Sequence, residues 1–297
     1  MASGADVWHF YRARFLRLMP LYYFAAAVVL VLAASVLGAM AFTGLAIDLA
    51  TMRFAVLPHH FGIAINYPLW SIGVEVLFSL AFPPLVIAAA RIGLGRLLAA
   101  ALLVALAARV GGRLWDPRPL GANFISDNIF GRGDEFVLGM AVARQYTAGG
   151  IPARARHLVL PGVAPILLAW AGFYQCQYRG LSMVVTAPLN NLLDLGFGGV
   201  LAGALTKAEG RSVLAFAPLQ VIGMMCYSLY IWHAPVLPTV QPLAGGVIAL
   251  LLVIVLAAFS YRYIEFRRVA DWRALFLWPH GFLPGRSAPL RAKVAGD

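Results

Sequence analysis

The chain has 297 residues, of which 62% are hydrophobic and only 12% charged, and its mean hydropathy is +0.82. A soluble domain carries about 25% charged residues, so the composition excludes an ordinary soluble enzyme and places the chain among polytopic membrane proteins. The net charge of +11 would suggest nucleic acid in a soluble protein, but the arginines fall in short runs between apolar segments, so it reads as membrane orientation, with no nucleic-acid partner.

The opening MASGADVWHFYRARFLRLMP is basic and aromatic and has no small-residue cleavage site, so it is not read as a cleavable signal peptide. The apolar runs that follow predict about eight membrane helices, at roughly 20–42, 68–90, 96–112, 134–148, 158–176, 181–206, 213–237 and 243–263. The expected fold is an all-α, polytopic transmembrane helix bundle. With the N-terminus inside, the cytoplasmic loops collect most of the Arg and Lys, and only Arg53, Arg109, Arg113, Arg118, Arg132 and Arg179 fall outside. Both termini are then cytoplasmic, and the chain is expected to cross the cell's inner (plasma) membrane several times. Residues 1–265 read as one membrane domain. Residues 266–297 read as a basic cytoplasmic tail, with Trp272, Phe276 and Trp278 lying on the anionic inner leaflet. Two outer loops, about 43–67 and 113–133, are long enough to have a task. Cys176 and Cys226 lie in apolar segments and read as buried core. No ligand spacing points to a metal, and His59 and His60 are adjacent, a poor geometry for joint ligation.

Several groups of residues could carry chemistry. Arg14 and Arg17 are three apart and share a helical face at the expected cytoplasmic mouth of the first helix. Their guanidinium forks suit phosphates, while the plainer account is a positive-inside anchor. Glu75 lies in the oily run NYPLWSIGVEVLFSLAFPPLV. At a helical rise of about 1.5 Å per residue, a helix entering near Pro68 carries it roughly 10 Å deep, where a charge is costly and usually faces the bundle interior. Ser71, Glu75, Phe78 and Phe82 fall on one face, with Trp70 at the start of the run and Ser71 able to hydrogen-bond Glu75. A structural ion pair with an arginine of another helix is the plain alternative. Arg132, Asp134 and Glu135 open the fourth predicted helix, where acidic residues suit the positive end of the dipole. Gly139 and Ala143 follow as a small-residue packing face. His233, in CYSLYIWHAP, is either part of an aromatic belt or an imidazole at a cavity mouth able to bind an acceptor hydroxyl or move a proton. Arg262 and Glu265, three apart, are expected to pair structurally.

In order, Arg-x-x-Arg before Pro-x-Tyr, LWSxxxExxF, Arg-x-x-Glu-Phe-x-x-Gly, YSLYxWH and SYRxIE resemble the integral membrane acyltransferase-3 family, from about Tyr11 to Glu265. The resemblance implies a membrane enzyme that takes an acyl group, most simply acetyl, from acyl-CoA on the cytoplasmic side. It delivers that group to a hydroxyl of a surface carbohydrate or a lipid-linked acceptor. It also implies that Arg14 and Arg17 handle the donor, that Glu75 is the acidic catalytic position, and that His233, Trp70, Ser71, Arg132 and Glu135 line the cavity or its acceptor side. No bound cofactor is expected; acyl-CoA is a substrate. The family carries an arginine and a histidine on its first helix, the histidine being its candidate base. The present chain is expected to start beyond that region and to lack two helices. A transporter of an acylated intermediate and a non-catalytic remnant are the rival expectations.

Overall fold

The computed structural model describes residues 4–35, 37–58, 68–116, 123–148, 151, 157–205 and 217–265. The tail 266–297, residues 59–67 with His59 and His60, and residues 117–122 lie outside the described residues, while Ala39–Thr51 of the first expected outer loop is helical. Every regular element among the described residues is helical. The α-helices are α1 (Gly4–Ala34), α2 (Ala39–Thr51), α3 (Leu69–Ile92), α4 (Leu94–Trp115), α5 (Phe124–Asp127), α6 (Ile129–Thr147), α7 (Val159–Tyr178), α8 (Thr186–Ala204), α9 (Ala217–Met224), α10 (Cys226–Ala244) and α11 (Gly246–Ser260).

Among the described residues, six helical segments are long and apolar enough to cross a membrane: Asp6–Ala34, Leu69–Ile92, Leu94–Trp115, Val159–Tyr178, Met183–Ala204 and Gly246–Glu265. Pro218–Met224 and Cys226–Ala244 meet at a 76° bend and together make a seventh if they form one broken span. The fourth predicted span corresponds to α6, which is not among the six. Its first turns carry Arg132, Asp134 and Glu135, which lower its apolarity.

The first helix differs most from expectation. It starts at Gly4, well before position 20, and runs through Pro20 to Ala34. Arg12, Arg14 and Arg17 are therefore residues of a long helix, not of a loop before it. Proline offers no N–H to the preceding turn, yet the helix continues because the flanking sequence, rich in Leu, Phe, Tyr and Ala, is strongly helical and apolar.

The chain divides into two compact units. The first comprises residues 1–16 and 26–212, and the second residues 17–25 and 213–297. Within the first, α7 and α8 form a close antiparallel hairpin. A Cβ added to Gly196 would lie 2.7 Å from the Gly162 carbonyl oxygen, and one added to Gly162 would lie 2.8 Å from that of Gly196. Small residues let two membrane helices touch backbone to backbone. The seam expected at Gly139 and Ala143 is not formed: a Cβ at Gly139 meets open space, and Ala143 is exposed. Gly73 of α3 packs on the short 3-10 turn Arg53–Ala55, where a Cβ would come within 2.5 Å of the Ala55 side chain. In the second unit α10 and α11 pack as a hairpin, and α11 ends in a π-helical turn, Tyr261–Glu265. Cys176 is buried as expected, but Cys226 is exposed at the first position of α10.

Candidate functional site

The first unit holds a buried ionic cluster centred on Arg109. This residue is 2% exposed and sits in the apolar helix α4. Its Nη1 donates to Asp134 Oδ2 at 3.0 Å and to Asn191 Oδ1 at 2.9 Å. Its Nη2 donates to Asp134 Oδ1 and to Asp194 Oδ2, both at 3.0 Å, and reaches Glu135 Oε1 at 3.5 Å. Asp134 is fully buried and Asp194 nearly so. Burying charges costs several kcal/mol per ion unless pairing and hydrogen bonds compensate, and here α4, α6 and α8 each supply part of the compensation. Asn191 also donates to the Leu102 carbonyl at 3.1 Å, so the same amide ties α8 to α4 twice.

Glu135 links this cluster to Arg132. Arg132 Nη1 donates to Glu135 Oε1 at 2.8 Å and its Nε to Asp127 Oδ1 at 3.0 Å. Its guanidinium carbon stands 5.9 Å from the centre of the Trp70 ring, within cation–π range. The backbone is shaped to allow this. Asn128 caps α6 by accepting from the N–H groups of Phe130 and Gly131, and Asn123 caps α5 by accepting from Ile125 and Ser126. Asn123 Nδ2 then donates to the Gly112 carbonyl, which fastens the loop to α4. Asp134 and Glu135 thus do not sit at the helix start, where the dipole argument placed them, because α6 begins earlier, at Ile129, with no acidic residue in its first turn. Asn128 caps, and the two acids serve arginines.

Glu75 lies along α3 from Trp70 and retains 32% of its side-chain exposure. Arg14 Nη1 reaches Glu75 Oε1 at 3.5 Å, a loose ion pair between α1 and α3. Around it Tyr11 donates to the Leu80 carbonyl at 3.0 Å, Phe10 stacks on Phe82 at 4.8 Å, and Phe78 stacks on Phe136 at 4.0 Å. On the face predicted to carry Ser71, Glu75, Phe78 and Phe82, α1 therefore meets Glu75 and Phe82, and α6 meets Phe78. The Ser71 hydroxyl donates to the Pro68 carbonyl at 3.0 Å.

The second unit organises a different set. Arg17 Nη1 lies 2.8 Å from Glu265 Oε1, and the Glu265 side chain is wholly buried. Ser228 donates to the other carboxylate oxygen at 2.9 Å. Tyr227 donates to the Leu18 carbonyl at 2.8 Å, and the Trp232 indole N–H donates to Ser260 at 2.7 Å. Glu265 pairs with Arg17, not with Arg262 three residues before it, because the π-helical turn changes the facing of residues three apart. His233 Nδ1 lies 2.7 Å from the Tyr230 carbonyl. A carbonyl only accepts, so Nδ1 carries a proton and donates to it.

The structure thus joins Arg14 to Glu75 and Arg17 to Glu265, and brings Trp70, Arg132 and Glu135 into one chain of contacts. Sequence reasoning missed Arg109, Asn191 and Asp194. Sequence reading counts Arg109 among the outer charges and assigns no role to Asn191 or Asp194. The signal was present: an arginine inside LLVALAARVGG, and Asn191 and Asp194 three apart on one face of an apolar helix.

Residues 1–266 match the family model described as an acyltransferase domain. No curated protein and no solved structure matches the chain.

Proposed function

The chain belongs to the acyltransferase-3 family of membrane proteins, and on that premise we propose that it moves an acyl group, most simply acetyl, from acyl-CoA to a hydroxyl of a cell-surface carbohydrate or lipid-linked acceptor at the inner membrane. The family match, which spans nearly the whole chain, carries this reading. In the reaction the acceptor hydroxyl oxygen bonds to the thioester carbonyl carbon, the C–S bond breaks, and the hydroxyl proton ends on the departing thiolate. Such chemistry needs a proton acceptor or a group that orients one, and positive charge near the developing oxyanion.

Glu75 and Arg14 supply both kinds of group on facing helices of the first unit. Glu75 is the carboxylate we assign to catalysis, by orienting the reacting hydroxyl or taking its proton. Its loose contact and partial exposure support this over a sealed structural bridge. For the donor, the family resemblance points to Arg14 and Arg17. Each already faces a carboxylate, so CoA phosphates would bind by sharing or displacing that partner. His233, whose Nδ1 is held by the Tyr230 carbonyl, is assigned to the acceptor.

The test is direct. Purified protein in lipid nanodiscs is given radiolabelled acetyl-CoA and a panel of methyl glycosides. Label on a glycoside is expected. Label that stays on acetyl-CoA, or appears only in acetate, overturns the reading.

A further inference from the structure

The second unit carries one positive charge more than its acids can balance. Its described residues, 17–25 and 217–265, include two arginines, Arg17 and Arg262, and a single acid, Glu265. Glu265 is already engaged, with Arg17 at 2.8 Å and Ser228 at 2.9 Å. Arg262 stands in the π-helical turn that ends the span Gly246–Glu265. Its Nε and Nη1 are buried and have no hydrogen-bond partner among the described residues. Its guanidinium carbon lies 5.5 Å from the centre of the Tyr263 ring. That contact answers part of the charge, but it supplies no oxygen to either N–H. Buried donors are nearly always paired, and one that the fold leaves open calls for a bound water, ion or ligand. Water would satisfy the N–H groups and leave the charge uncompensated, so an anion fits better. Arg267 and Arg268 follow in the sequence and add to the positive charge of this end of the chain.

The surface leading to Arg262 is apolar. Val247, Leu251, Val255, Phe259 and Tyr263 recur every four residues and are all exposed, so they form one ridge along α11 and its last turn. The rings of Phe259 and Tyr263 lie 4.7 Å apart on it. At a rise of about 1.5 Å per residue, the stretch from Val255 to Tyr263 covers roughly 12 Å. That is most of one leaflet of a hydrocarbon core about 30 Å thick. A hydrocarbon chain lying on this ridge brings its headgroup to the end where Arg262 sits. A soluble anion would make no use of the ridge. A zwitterionic lipid would bring its own cation with its phosphate and leave the surplus charge standing.

We infer that Arg262 and the α11 ridge bind an anionic phospholipid, with its phosphate on the guanidinium and an acyl chain along Val255, Phe259 and Tyr263. Basic residues at the ends of membrane spans recognise acidic headgroups in this way. Arg262 as a whole is only half-buried, so its head can turn to the bilayer edge. The lipid is a bound component of the membrane and not a reactant, and the inference holds whether or not the chain performs the proposed acyl transfer.

Native mass spectrometry of the full chain, released from detergent and titrated with dioleoylphosphatidylglycerol or dioleoylphosphatidylcholine, tests it. One phosphatidylglycerol is expected to stay bound at concentrations where phosphatidylcholine does not, and to raise the melting temperature more. Arg262→Gln should weaken phosphatidylglycerol binding roughly three- to tenfold and leave phosphatidylcholine binding unchanged. Arg262→Lys keeps the charge and should retain most of the preference. Arg91→Gln, at an exposed arginine in the last turn of α3, should change neither lipid. Melting curves exclude unfolding, and Arg262→Met serves if Arg262→Gln melts early. Equal retention of the two lipids, or phosphatidylglycerol binding unchanged in Arg262→Gln, overturns the inference. Displacement of the lipid by millimolar inorganic phosphate or free coenzyme A also overturns it, because the site would then belong to a soluble phosphate. Retention against both, lost in Arg262→Gln, upholds it.

Discussion

Arg109 on α4 and Asp134 on α6 form a two-point ion pair, Nη1 to Oδ2 and Nη2 to Oδ1, both at 3.0 Å, with both side chains sealed from solvent. Two parallel contacts fix distance and angle together, so this pair fixes how α6, which carries both Arg132 and Glu135, sits on α4. Glu135 Oε1 then stands between Arg109 and Arg132 and contacts both.

Removing Arg109 should therefore be severe. Arg109→Met leaves Asp134 and Asp194 buried without a counter-charge, and should destabilise the protein by about 3–5 kcal/mol. Adding Asp134→Asn and Asp194→Asn should recover much of that loss. Thermal unfolding in nanodiscs measures both. A mild single variant, or a triple variant no better than the single, would show that the cluster is not held by charge compensation.

Glu75→Gln removes the charge and keeps the shape. Because the Arg14 contact is long and part-exposed, little stability should be lost, within about 1 kcal/mol. Acyl transfer from labelled acetyl-CoA should fall by at least about a hundredfold, the scale of a lost acid–base group. Retained transfer would sink the assignment of Glu75 to catalysis.

Arg14 and Arg17 should separate in kinetics. Arg17 faces a buried carboxylate that Ser228 also holds, so Arg17→Gln should lower the melting temperature, and Glu265→Gln should relieve part of that drop. Arg14→Gln should mainly raise KM for acyl-CoA, with little change in melting. Steady-state kinetics beside melting curves distinguish the two, and the opposite pattern would exchange their roles.

The α7–α8 seam gives a packing test. Gly196→Val places a side chain against the Gly162 carbonyl and the Ile166 side chain. Overpacking of this kind costs typically about 1–3 kcal/mol. Gly139→Val, whose Cβ meets open space, should be close to neutral. Comparing denaturation midpoints of the two variants checks it, and equal effects would contradict the seam.

Composition and hydrophobic runs were enough for the class of the molecule. Apolar stretches of membrane length can satisfy their backbone only as helices, so an all-helical membrane fold followed from the residues alone, as did the positions of α3, α4, α7 and α8 to within a few residues. The ordered motifs from Arg14 to Glu265 were likewise enough for the family. Tertiary structure decided the pairings. Sequence spacing shows which residues share a helical face, but not which helix lies opposite. Glu75 could be expected to meet an arginine, and only packing made that arginine Arg14. Glu265 turned from the near Arg262 to the distant Arg17 because the last turn of its helix is π and not α. Arg109 counted as one more outer charge until α6 and α8 were seen to bring Asp134, Asn191 and Asp194 around it. Hydrophobicity acts along the chain and can be read from it. Charge compensation acts across space, between residues 25 to 85 positions apart, and is visible only once the helices have packed.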